Sequence, residues 1–287
     1  MDGIVLVDKP EGPTSHDVVR KMRRIFNTRK VGHAGTLDPM ATGMLVIGVG
    51  RATRLLGYLT QSDKEYLGTI RLGSATTTDD AQGEVISQST TRQITQADIY
   101  EALREFRGHI QQRPSAVSAI QVDGKRAYAR VRAGEEVELP AREVTIHDCE
   151  VLSITDHPDL DAIDIEVRVV CSVGTYIRAI ARDLGAALEV GGHLTALRRT
   201  RSGAFSSMKS LEELEDQPQV IDITSAIRQV FDCVQIDEEQ TVKALHGVRV
   251  PAPTSASGTV GVLGADGNAV SLCEVKNEEL VPLVVFV

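Results

Sequence analysis

The chain has 287 residues, 42% of them hydrophobic and 25% charged, with a formal charge of −9 at pH 7. That is enough chain and apolar mass for one large domain, or a large one with a small companion, around a hydrophobic core. No apolar stretch approaches the roughly 18 residues of a membrane span, and Asp2 and Asp8 sit where a signal peptide would be basic and then apolar, so the cytoplasm is the expected compartment.

Residues 4–7 are predicted as a short strand, followed by a Lys9-Pro10 turn and a helix capped by Thr14 or Ser15. Val18, Val19, Met22, Ile25 and Phe26 share one face of that helix at helical spacing. Arg20, Arg23 and Arg24 project elsewhere and form a basic cluster with Lys21, Arg29 and Lys30, which suits a solvated surface and a phosphate-binding one equally well. Residues 32–43, Gly-His-Ala-Gly-Thr-Leu-Asp-Pro-Met-Ala-Thr-Gly, then place one carboxylate, Asp38, in a glycine-rich loop. Pro39 disfavours helical geometry at Asp38, so a fixed turn is expected there, backed by a buried strand over residues 44–49.

A helix is predicted over residues 51–58 and a strand over residues 64–73, which carries Tyr66. Thr76, Thr78, Asp80 and Gly83 make a polar turn, and Thr95 with Asp98 approximates a capping box for a helix bearing Ile99, Leu103 and Phe106. Lys125, Arg126 and Arg130 keep the stretch from Pro114 to Tyr128 and just beyond it basic enough to touch phosphates. Residues 144–154 and 163–171 are the best-defined strands; the second alternates Ile163, Ile165, Val167, Val169 and Cys171 with polar neighbours. Residues 171–178, Cys-Ser-Val-Gly-Thr-Tyr-Ile-Arg, turn into a helix packed through Ile177, Ile180, Ala181, Leu184 and Leu188. Arg178 lies at its start, where a cation opposes the macrodipole, so a carboxylate partner is expected.

Residues 211–228 read as acidic and helical with a break at Pro218, and from Val234 onward short strands around several glycines predict a small β domain. Residues 205–287 hold 5 Lys and Arg against 13 Asp and Glu, a net of −8, so the first 204 residues are nearly neutral at −1. Any nucleic acid must therefore be held by local patches. The four cysteines form no C-x-x-C pair and are expected to be reduced and structural; the seven histidines show no ligand spacing, so no metal is expected.

Residues 7–16, Val-Asp-Lys-Pro-Glu-Gly-Pro-Thr-Ser-His, together with residues 32–43, closely resemble the TruB-type tRNA pseudouridine synthases. The likeness recurs at Lys64-x-Tyr66, at Thr76-x-Thr78-x-Asp80-Ala81-x-Gly83, and at residues 171–178 and 191–199. It implies isomerisation of one uridine in the T arm of tRNA, with Asp38 as the nucleophile, Arg178 as its partner and Tyr66 stacked on the target base. Tyr176 would line the pocket, Leu197 would lie by the base, His33 would fill the space the base vacates, and Lys9 and Lys64 would bind substrate. Val117 and Gln121 stand where relatives carry a tyrosine and a lysine.

The implied architecture is α+β, a pseudouridine synthase fold whose mixed, mainly antiparallel central sheet is flanked by helices. A catalytic domain would span residues 1–228 and a PUA-like β domain residues 229–287, in a monomer without cofactor. Two other readings stay open. A non-catalytic tRNA-binding or chaperone protein would tolerate loss of Asp38 but not charge reversal at Arg20, Arg23 and Arg24. A hydrolase would release free uracil, although the matched motifs offer no well-placed second carboxylate for it.

Overall fold

The computed structural model describes residues 1–115, 121–122, 125–126 and 139–286. The chain divides into two compact units, one made of Met1–Pro39, Gly43–Gln61 and Ser202–Val287, the other of Met40–Thr42 and Ser62–Arg201.

The first unit opens with β1 (Gly3–Lys9), the helix Ser15–Ile25, β2 (Val31–Ala34) and β3 (Thr42–Val49). The helix starts where it does because Thr14 and Asp17 form a capping box: the Thr14 hydroxyl accepts from the Asp17 amide and the Asp17 carboxylate accepts from the Thr14 amide. Val18, Val19 and Met22 bury its apolar face. β1 runs antiparallel to β3, from Gly3 opposite Val49 to Lys9 opposite Gly43, and β2 also pairs antiparallel with β3. His33 thus lies on a strand opposite Ile47, and the loop predicted from Gly32 begins at Gly35. The predicted 51–58 helix is a 3-10 turn, Gly50–Leu55, followed by one α-helical turn, Leu56–Leu59.

The second unit contains β4 (Lys64–Leu72), β5 (Ser74–Thr76), β6 (Val85–Gln88), the helix Gln96–Arg104 and β7 (Gly108–Gln112). After the short pair β8 (Gln121–Val122) and β9 (Lys125–Arg126) come β10 (Arg142–His157), β11 (Ala162–Cys171), the helix Ile177–Ala187 and β12 (Gly192–Ser202). Its sheet runs in the order β12-β4-β11-β10-β7. The alternation predicted for residues 163–171 is met: Ile163, Ile165, Val167, Val169 and Cys171 are all buried. The predicted capping box is present too, closing the Gln96–Arg104 helix through Thr95 and Asp98. Gly185 lets the Ile177–Ala187 helix lie against the start of β12; a Cβ there would stand 2.1 Å from the Gly192 nitrogen. Of the two departures noted in the 114–128 stretch, Gln121 falls in β8 and Val117 lies outside the described residues.

The C-terminal part returns to the first unit. β13 (Ile221–Asp222) pairs with the start of β1, between the helices Leu211–Asp216 and Ile223–Val230. Ile4, Leu6, Met44, Val46, Leu55, Phe205 and Ile227 close one core there. β14 (Cys233–Gln235), β15 (Val250–Pro251), β16 (Thr259–Leu263), β17 (Ala269–Lys276) and β18 (Glu279–Val285) form a separate sheet in the order β14-β16-β17-β18-β15. Only its β14–β16 pairing is parallel among the pairings described. One helix, Glu238–Leu245, interrupts the run of strands expected here, begun by a capping box between Asp237 and Gln240. The architecture is α+β with a mainly antiparallel sheet, as expected.

Candidate active site

In the first unit the segment carrying Asp38 is pinned on both sides. Ser15, 2% exposed, donates its hydroxyl to the Leu37 carbonyl at 3.0 Å and accepts from the Leu37 amide at 2.9 Å. On the other side, the Pro39 carbonyl accepts from the Gly12 amide at 2.9 Å and from the Lys9 ammonium at 3.2 Å. Gly12 (φ +103°) and Gly35 (φ +84°) make the turns that bring these segments together, in backbone geometry that β-carbon-bearing residues resist. The residues before and after Asp38 are therefore held by three positions of the 7–16 motif, and that explains physically why the two sequence stretches belong together. Asp38 itself is half-buried.

Lys9 is fully buried, with a second hydrogen bond to the Pro10 carbonyl at 2.9 Å. Burial pushes its ammonium down to about 8, against the opposing pull of the Asp38 and Glu11 carboxylates. Lys9 and Asp38 are thus brought together electrostatically. His33 is half-buried on β2, its ring meeting the His16 ring edge-on with centroids 5.6 Å apart.

In the second unit, Lys64 and Tyr66 share one face of β4, opposite Cys171 and Val169. Lys64 is 5% exposed and donates to the Ser62 carbonyl. Desolvation, reinforced by the positive charge of Arg199, lowers its ammonium to about 8. Tyr66 is half-buried, and Leu197 is 9% exposed on β12, its carbonyl accepting from the Thr42 hydroxyl at 3.4 Å.

Tyr176 is the N-cap residue of the Ile177–Ala187 helix but makes no side-chain cap bond. Gln112, 1% exposed, holds it instead: its amide oxygen accepts from the Tyr176 N–H at 2.8 Å and its amide nitrogen donates to the Tyr176 carbonyl at 3.1 Å. Arg178 lies at the helix start and is buried there, and within this unit a carboxylate stands against it. That carboxylate belongs to Asp80: the two groups lie 3.2 Å apart, each side chain 5% exposed, and the Arg178 guanidinium also donates to the Thr78 carbonyl at 2.9 Å. Asp80 is fixed in turn by the Thr78 hydroxyl and by the Gln82 amide at 3.0 Å.

Four positions gain a role here that sequence patterns do not assign: Ser15, Asp80, Gln112 and Arg142, the last with its guanidinium 5.0 Å from the centre of the Tyr176 ring. The signals available were that Ser15 follows a helix cap and that Asp80 lies in a family-like turn. Gln112 and Arg142 had none. Among the described residues no cluster of three or more His, Cys, Asp or Glu is placed to hold a metal ion, and no helix is long and apolar enough to cross a membrane.

In the first unit, an aspartate locked on both flanks and under the influence of the Lys9 ammonium is suited to nucleophilic work; the second unit separately holds two half-buried tyrosines and a buried arginine. Comparison with known proteins agrees. The fold matches solved chains in a Cbf5-Nop10-Gar1 complex (TM-score 0.74, 27% identity, 99% of this chain and 85% of that one) and in an H/ACA RNP bound to a substrate RNA containing 2′-deoxyuridine (TM-score 0.73, 25% identity, with the same shares covered). Three family descriptions match in succession: the N-terminal domain of TruB family pseudouridylate synthase over residues 23–177, the C-terminal domain of tRNA pseudouridylate synthase B over 178–234, and the C-terminal region of tRNA pseudouridine synthase II over 231–287. The chain is therefore a pseudouridine synthase, an isomerase.

Among its relatives are proteins named tRNA pseudouridine synthase B from Streptomyces griseus subsp. griseus, 52% identical over 99% of this chain and 97% of that protein, and from Thermobifida fusca, 50% identical over 99% and 98%. The chain belongs to the TruB family of pseudouridylate synthases.

Proposed function

We propose that this protein is a tRNA pseudouridine synthase that isomerises the uridine at position 55 in the T arm, with Asp38 as nucleophile and no cofactor. The names of its relatives supply the substrate class. The observation that carries the assignment of the nucleophile is the double pinning of Leu37 and Pro39 by Lys9, Gly12 and Ser15, which holds the backbone on both sides of Asp38. A nucleophile that must meet one carbon atom gains from such prior ordering.

The reaction breaks the N1–C1′ bond and joins C1′ to C5; the C5 hydrogen leaves as a proton and N1 gains one, so the composition is unchanged. The Asp38 carboxylate attacks the sugar carbon or C6 of the ring and is regenerated at the end. The base must leave the stack to be reached. Tyr66 and Tyr176 are proposed to take its faces, Leu197 to close one side, and His33 to occupy the gap left in the RNA. Arg178 is proposed as the cationic partner of Asp38, with Lys9 and Lys64 on the substrate side. Residues 1–228 would form the catalytic domain and 229–287 a PUA-like one, acting as a monomer in the cytoplasm.

The test is tritium release from T-arm RNA labelled at C5 of uridine. Wild type is expected to release label at the target uridine alone, and Asp38→Asn none. Release by the Asn variant at more than a thousandth of the wild-type rate would remove Asp38 as nucleophile.

A further inference from the structure

We infer that Arg142 seats a backbone phosphodiester of the RNA beside Tyr176; the inference rests on the reading of this chain as an RNA-modifying enzyme and adds a contact to the same site. Arg142 opens β10 directly opposite Gln112 on β7, the residue that clamps both the N–H and the C=O of Tyr176. This register sets the guanidinium against the Tyr176 ring, 5.0 Å from its centre. The ring satisfies a face of the guanidinium. It offers nothing to the N–H groups in the guanidinium plane.

Two of those groups, on Nε and Nη2, are closed off from solvent and have no hydrogen-bond partner among the described residues. They form one edge of the fork, the edge that meets two oxygens of one anion side by side. An arginine cannot shed its charge to relieve such a deficit, and a buried donor left unpaired is costly. Other arginines of this unit are served differently: Arg71 is bidentate to Asp164, Arg168 reaches Glu65, Asp148 and Glu150, and Arg182 reaches Asp79 and Asp183. The Arg142 edge is therefore built for an acceptor that comes from outside.

The chemistry of the edge selects the acceptor. Two adjacent N–H donors with a positive charge fit the two non-bridging oxygens of a phosphodiester. They do not fit a uracil edge, where the two carbonyls are separated by the N3–H donor. Among the described residues no hydrogen bond anchors Nε or Nη2, and the residue keeps partial exposure, so this edge is able to turn towards the RNA while the side chain stays on Tyr176.

The experiment uses T-arm stem-loop RNAs that carry a single uncharged methylphosphonate at each linkage around the target uridine, with binding and isomerisation measured for wild type, Arg142→Gln and Arg142→Lys. In wild type, neutralising one particular linkage is expected to weaken binding roughly 10- to 100-fold, the size of a charge-assisted bond. Arg142→Gln is expected to weaken binding of unmodified RNA by a similar factor and to erase the penalty at that linkage while leaving the others. Arg142→Lys, which keeps the charge but not the fork, should restore part of the affinity. A merely structural arginine would lower the melting temperature and kcat without erasing the penalty at any single linkage. The inference is overturned if Arg142→Gln binds unmodified RNA as tightly as wild type or keeps every linkage penalty. Wild type forming no pseudouridine in this RNA would instead sink the underlying reading, and the Arg142 assignment with it.

Discussion

Replacing Asp80 by Asn tests the Arg178 arrangement with little change of shape. The Asn side chain still offers an oxygen to the Gln82 amide and the Thr78 hydroxyl, so what is lost is the charge facing Arg178 at 3.2 Å. Two unit charges at that distance attract by about 5 kcal/mol at an effective dielectric of about 20. The atom facing Arg178 becomes the Asn NH2, which cannot accept from the guanidinium, and relaxation of the site leaves a cost of about 3 kcal/mol, at the low end of what breaking a buried pair costs. In a chain of this size that is a fall of roughly 6–12 °C in melting temperature. Thermal unfolding followed by circular dichroism measures it. A cycle with Arg178→Met separates the pair from its surroundings: the double variant should melt higher than the sum of the two single losses predicts. The reasoning is refuted if Asp80→Asn melts within about 2 °C of wild type, or if the coupling in the cycle is below about 0.5 kcal/mol.

Ser15→Ala leaves both backbone groups of Leu37 without their shared partner; a loss of about 2 kcal/mol in urea unfolding and a kcat reduced more than KM is raised are expected from a loosened Asp38 loop. Because burial lowers Lys9 to about 8 from an ordinary 10.5, its ammonium discharges as the pH passes 8, and kcat should fall with an apparent pKa near that value. Lys9→Arg, which cannot discharge, should abolish that limb in a pH–rate profile. For stability the sign is opposite: the unfolded chain binds the proton more tightly between about 8 and 10.5, so the Lys9 contribution to stability rises across that window, visible as a smaller urea-midpoint gain from pH 8 to 10 in Lys9→Met than in wild type. Gly185→Ala would force the Ile177–Ala187 helix off the start of β12, where a Cβ meets backbone at 2.1 Å; a loss above about 3 kcal/mol and a fall in activity through displaced Tyr176 and Arg178 are expected.

Much of this protein was legible in its sequence because the deciding interactions are local. The capping boxes at Thr14 and Thr95 join residues three positions apart, the strand over 163–171 declares its buried face by alternation, and Pro39 excludes helix at Asp38 through its own ring. The Asp237–Gln240 box was equally local, and the helix Glu238–Leu245 was missed only because the glycines around it suggested strands throughout. His33 reads as loop for a similar reason: a four-residue strand that contains Gly32 and runs into Gly35 carries too little pattern to stand out, and its pairing with β3 decides its state. What tertiary structure alone decided are the contacts that span tens of residues. Ser15 holds Leu37 across 22 positions, Gln112 clamps Tyr176 across 64, and Arg178 reaches the Thr78 carbonyl across 100, with Asp80 beside it. Each joins a side chain to a group whose position depends on sheet register and helix placement. Neither quantity is written in the few residues on either side, since a hydrogen bond or an ion pair asks only for a partner within reach, and reach is set by the folded backbone.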